Sequence, residues 1–267
     1  MIDLSGVEGV IFDLDGTLHN SGVAARGAVA MIGWLRKRGL PFVFCTQDAE
    51  YGEAHVLSRL TAAGFDARAE EIVSGGEVMV GYLKARHGDA PVHTIATERQ
   101  AHYLVERGIR IAAPGERAEA VLLLLYDGFS GDDLDRACQA VWSGAEFLNL
   151  AFDRSFRMPN GLIPGPGPFV KAVEYVTGKR ARALGKPSKE IAAAALAKLG
   201  TGPAATLVVG DTLDADVRMG RNIGARTVLT LSGTTSLSDL ARVRASARPD
   251  WVVDDVSVLF EAFKEQF

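Results

Sequence analysis

The chain holds two acidic clusters, each at the end of an apolar run. The first is Val10-Ile11-Phe12-Asp13-Leu14-Asp15-Gly16-Thr17-Leu18. Strand side chains alternate, so positions i and i+2 share a direction while the strand lasts. Gly16 then permits a turn that swings the second carboxylate beside the first. Two such carboxylates invite a hard divalent cation. An Asp pair capping a turn before glycine is the plainer reading. An EF-hand loop is excluded, because a strand enters it and its twelfth position is Ala24 where a Glu is needed. The second cluster is Val208-Val209-Gly210-Asp211-Thr212-Leu213-Asp214-Ala215-Asp216, with Asp216 about one helical turn beyond Asp211. Taken alone it could be the N-cap of a following helix. A third strand end, Phe44-Cys45-Thr46-Gln47-Asp48, offers a hydroxyl and an amide. A fourth segment, Gly185-Lys186-Pro187-Ser188, offers an ammonium, with Ser188 suited to cap a helix over Ile191–Leu199. By itself Lys186 reads as an ordinary surface lysine. Together these groups suit a phosphoryl group, whose oxygens a cation and a lysine neutralise and Thr46 hydrogen-bonds.

These residues need strands that end side by side. Apolar, β-branched runs recur at Gly9–Phe12, Phe42–Cys45, Val92–Ala96, Val121–Tyr126, Thr206–Val209, Thr227–Leu231 and Trp251–Val253. Helical patterns lie between them, at about Ala25–Arg38, Ala54–Ala63 and Glu77–Arg86, and a closing helix is expected over Val256–Phe267. Continuous rather than alternating apolar runs predict strands covered on both faces, hence a largely parallel sheet in an α/β fold. Arg154–Pro168, rich in Pro and Gly with Phe156, Leu162 and Ile163 interspersed, reads as a shaped loop.

The 267 residues allow one large domain or two modest ones. A net charge of −4 with no basic tract argues against nucleic acid as a partner. Two cysteines, Cys45 and Cys138, suit a reducing cytosol, and the N-terminus lacks a signal-peptide pattern, so a cytoplasmic location is expected. The longest apolar runs fall far below the ~20 residues of a membrane span. The five histidines show no metal spacing, and only His19 is near an acidic cluster. Cys45 reads as core.

In order and spacing the four segments resemble the motifs of the haloacid dehalogenase superfamily: Asp13-Leu14-Asp15-Gly16-Thr17, Thr46, Lys186, and Gly210-Asp211 with Asp216. Gly161–Gly167, Gly185–Ser188 and Gly210–Asp216 look most like the para-nitrophenyl phosphatase and pyridoxal-phosphatase branch. That resemblance implies a Rossmann-like parallel-sheet core over 1–80 and 185–267, with an inserted α/β cap domain over 81–184. It implies a phosphatase in which Asp13 is the nucleophile and Asp15 the acid and base. Mg2+ would be held by Asp13, Asp211 and the backbone carbonyl of Asp15, with Asp216 supporting the ion or Lys186. Thr46, Gln47 and Lys186 would bind the substrate, a small phosphorylated metabolite such as a sugar or glycerol phosphate. Phosphotransfer to another acceptor and non-catalytic metabolite binding are the alternatives, and a homodimer is a possible assembly. The chain departs from the branch at Thr46-Gln47-Asp48, where Thr-Asn-Asn is usual, and Asp48 adds a charge there. Asp153, Arg154, Arg157 and Asn160 are candidates for recognising the leaving group, although a solvated loop explains them equally well.

Overall fold

The computed structural model describes residues 2–20, 22–49, 52–124, 128–158 and 161–267. The chain forms two compact units. One comprises Met1–Thr46, Glu53–Ser74 and Lys186–Phe267; the other comprises Gln47–Gly52 and Gly75–Gly185.

In chain order the first unit contains β1 (Gly9–Asp13), α1 (Ala28–Arg38), β2 (Phe42–Thr46), α2 (Gly52–Ala62, all but its first residue), β3 (Ile72–Ser74), α3 (Lys189–Leu199), β4 (Thr206–Gly210), α4 (Arg218–Ile223), β5 (Arg226–Thr230), α5 (Leu237–Arg242), β6 (Trp251–Val253) and α6 (Val256–Gln266). The six strands form one sheet in the order β6-β5-β4-β1-β2-β3, and every neighbouring pair is parallel. β1, β2 and β4 are buried along their whole length, as continuous apolar runs require. Val10, Phe12, Phe44 and Val209 pack with Met31, Ile32 and Leu35 of α1, Leu60 of α2, and Leu259 and Phe263 of α6. The opposite face meets α3 and α4: Leu199 lies against Gly9, and Val208 against Gly220. Ser188 caps α3 as expected, its hydroxyl accepting from the Ile191 N–H.

The second unit is built on a parallel sheet in the order Arg182–Ala183, Glu146–Asn149, Ala120–Leu123, Val92–Ile95. The helix Gly75–His87 contributes Met79, Val80 and Leu83 to its core, so a boundary after residue 80 runs through that helix. Arg154–Pro168 is not a loop. Ser155–Met158 pairs antiparallel with Gly161–Pro164, and a helix starts at Gly167. Pro164 ends its strand, a place where a missing N–H is tolerated. The expected strand over Val121–Tyr126 is seen as Ala120–Leu123; Tyr126, like Asn160, lies outside the described residues. Among the described residues no helix is long and apolar enough to cross a membrane.

Candidate active site

β1 and β4 are neighbours at the centre of the first unit's sheet. From there the strand order runs out to β3 on one side and β6 on the other. A parallel sheet opens a crevice at such a switch point, beyond its carboxyl ends. Asp13 is the last residue of β1, and Asp211 directly follows β4. Asp216 lies in a single π-helical turn, Leu213–Val217, where the Val217 N–H reaches the Thr212 carbonyl at 3.3 Å. Such turns often occur at functional sites. This one brings Asp216 back towards the strand end.

Lys186 joins the acids. Its Nζ donates to Asp13 Oδ1, to Asp216 Oδ1 at 2.7 Å and to the Cys45 carbonyl at 3.3 Å. It is buried, not the surface lysine that its local sequence suggests. Thr17 Oγ1 donates to Asp13 Oδ2 at 3.1 Å. Asp211 is held at both oxygens, by the Thr212 hydroxyl at 3.0 Å and by the Thr234 N–H at 2.6 Å. The Thr212 N–H donates to Asp216 Oδ2 at 3.2 Å.

Two glycines make room for Asp211. Gly16 turns with φ +89°, the left-handed region that glycine tolerates. A Cβ on Gly233 would lie 2.1 Å from Asp211 Oδ2. Gly233→Ala is therefore expected to push that carboxylate out of place. The variant should lose about 1–3 kcal/mol of stability, the usual cost of overpacking a close-packed site; thermal unfolding measures this.

Three carboxylates cluster in the interior, and one ammonium bonds two of them. Burial pushes the Asp13 carboxyl well above the ordinary range; Lys186 opposes this, while Asp216 and Asp211 reinforce it. Burial raises Asp216 in the same way. Burial would lower Lys186, but Asp13 and Asp216 outweigh it and hold the ammonium well above its usual value. Burial also pushes the Cys45 thiol up to about 12, so Cys45 is an inert core residue.

Asp13, Asp211 and Asp216 each offer an oxygen, all within 4.8 Å of one another. This hard, anionic donor set with too little positive charge fits Mg2+. Asp15 is placed differently. Its side chain is 58% exposed, and its Oδ1 takes the Arg59 guanidinium at 3.0 Å and faces His19 Nδ1 at 3.5 Å. Thr46 ends β2 and is buried. Gln47 belongs to the second unit, with its Oε1 buried and no hydrogen-bond partner among the described residues. The Asp48 carbonyl accepts the Gly76 N–H at 3.0 Å.

Sequence reasoning missed Thr234, Gly233 and Arg59. The first two carry no charge, and Arg59 lies on a helix where an arginine is usually a solvated surface residue.

Acids after two neighbouring strand ends, with a buried lysine bonding Asp13 and Asp216, form a site of the class that handles phosphoryl groups on α/β folds. A haloacid dehalogenase-like hydrolase model matches residues 10–110, and a HAD-hydrolase-like model matches residues 183–259. Chronophin of Mus musculus is 31% identical over 278 residues, covering 98% of this chain and 95% of that protein. The sugar-phosphatase AraL of Bacillus subtilis is 26% identical, covering 93% of this chain and 90% of that one. Among solved structures, a glycerol phosphate phosphatase from Mycobacterium tuberculosis in complex with magnesium aligns with a TM-score of 0.82 at 27% identity. It covers 96% of this chain and 77% of its own. The chain belongs to the haloacid dehalogenase-like hydrolase family, in the branch of the para-nitrophenyl phosphatases, and is a phosphoric monoester hydrolase.

Proposed function

We propose that the chain is a Mg2+-dependent phosphatase of small phosphorylated metabolites, sugar or glycerol phosphate-like monoesters, working through a phosphoaspartate on Asp13. The observation that carries this reading is the cluster of Asp13, Lys186, Asp211 and Asp216 at the switch point. The named activities of the sugar-phosphatase and glycerol phosphate phosphatase relatives support the substrate class.

Asp13, Asp211, Asp216 and the Asp15 backbone carbonyl would hold or support the ion. When bound, Mg2+ supplies positive charge that offsets the repulsion between these carboxylates and a phosphate dianion. Asp13 attacks phosphorus, and the bond from phosphorus to the ester oxygen breaks. Asp15 gives its proton to that leaving oxygen from Oδ2, the oxygen not engaged by Arg59. Asp15 Oδ2 then takes a proton from the water that attacks the phosphoaspartate, and the bond from phosphorus to Asp13 breaks. Lys186 and Thr46 hold the phosphoryl oxygens through both steps, and Gln47 adds a substrate contact. The second unit acts as the cap that selects the leaving group, with Asp153 and Arg154 among the candidate contacts; the Arg157 side chain, like Asn160, lies outside what the structure describes.

Phosphate release from p-nitrophenyl phosphate should require a divalent ion and stop with EDTA; release undiminished by EDTA would refute the metal dependence. Mg2+ at about 100 times its Kd should also stabilise the fold by about 2.7 kcal/mol. Thermal unfolding checks that without any turnover.

A further inference from the structure

Asp15 has a problem that its neighbours solve. Proton transfer to a leaving oxygen needs a carboxyl group held to within a fraction of an ångström. Yet Asp15 lies just beyond β1, more than half exposed, where a short side chain turns freely. Two residues reach the same oxygen. Arg59, on α2, donates from Nη2 to Asp15 Oδ1 at 3.0 Å. His19 Nδ1 lies 3.5 Å from that oxygen on a side chain only 2% exposed. The backbone fixes the histidine, because the Gly16 N–H bonds to the His19 carbonyl at 2.9 Å and His19 pairs with Ala24 in a short hairpin.

We infer that Arg59 is a positioning residue for the reaction: with His19 beneath, it pins Asp15 by Oδ1 and leaves Oδ2 facing the ester for proton transfer. The inference rests on the reading of Asp15 as the acid. A guanidinium suits this task because its planar fork keeps a fixed direction and its charge persists at every working pH.

The consequence depends on the leaving group. p-Nitrophenolate departs with little help from an acid, whereas phenolate and an alkoxide need a proton as the bond breaks. Arg59→Met should therefore lower kcat/KM, which reports the steps up to departure of the leaving group and not the hydrolysis shared by all esters, by about 10- to 100-fold for phenyl phosphate and glycerol phosphate. For p-nitrophenyl phosphate the loss in kcat/KM should be smaller than about threefold. Arg59→Lys should recover part of the loss. The ratio between esters is measured within one protein sample, so partial misfolding cancels.

Asp15→Asn run beside it separates two failures. If Asp15→Asn shows the leaving-group-dependent loss and Arg59→Met does not, the positioning role is wrong and the acid stands. If Asp15→Asn lowers kcat/KM equally for all three esters, the acid assignment fails and the positioning role falls with it. Equal loss of kcat/KM on every ester in Arg59→Met, or no loss of kcat/KM at all, likewise overturns the inference.

Discussion

Asp13→Asn should abolish turnover, by a factor on the order of 10⁴ or more, the scale of losing a covalent nucleophile. An amide of the same shape keeps the Thr17 and Lys186 neighbourhood but cannot form the phosphoaspartate. The fold should not suffer. Asp13 is buried beside Asp211 and Asp216, and its carboxyl is held well above the ordinary range. A carboxyl raised by folding gives no penalty below its unfolded value, near pH ~4. It costs stability as pH climbs from there, because the unfolded chain ionises more readily than the folded one. Removing the charge removes that cost. Without Mg2+, the variant should melt at least as high as wild type at pH 7 while releasing no phosphate. Residual activity near the wild-type rate would dismiss Asp13 as the nucleophile. A large drop in Tm would show that its role in the fold had been misjudged.

Lys186→Met should fail on both counts. The ammonium bonds two buried carboxylates, and methionine fills a similar volume without charge. Breaking a buried pair from one side costs about 3–5 kcal/mol. At about 2–4 °C per kcal/mol, Tm should fall by roughly 10 °C. The deficit should widen as pH rises from ~4 to 7, since Asp13 and Asp216 ionise unpaired. It should shrink with saturating Mg2+, which restores positive charge. Turnover should fall by about 10²- to 10³-fold, as expected for losing a preorganised cation at the reacting phosphoryl group. An unchanged Tm at pH 7 would contradict the buried ion-pair geometry. Thermal unfolding across a pH series and steady-state assays measure the two effects.

Much of the sheet is legible in single runs. Val10–Phe12, Phe42–Cys45 and Thr206–Val209 are apolar without alternation, and each is a fully buried parallel strand. Ile72–Ser74 and Arg182–Ala183 are too short to show a period, and their pairing makes them strands. Arg154–Pro168 misleads because its Pro and Gly content signals turns, while backbone pairing across the hairpin outweighs that local preference. Lys186 misleads for a related reason. Glycine, proline and serine around it suggest an exposed segment, and only the strand ends opposite show that its head is enclosed.

From residue order alone come the α/β class and the acids placed after β1 and β4, a set suited to a phosphoryl group, because strand ends, carboxylates and a hydroxyl are local properties of the chain; the hydrolytic reaction comes from the resemblance of the four motifs to the family. The partnerships are not local. Asp13 meets Lys186 across 173 positions, and Asp15 meets Arg59 across 44. Which carboxylates gather where an ion would sit, and which one an arginine draws aside, depends on β1 lying between β2 and β4. That neighbourhood follows from burying helices on both faces of one sheet, a packing constraint no single segment carries.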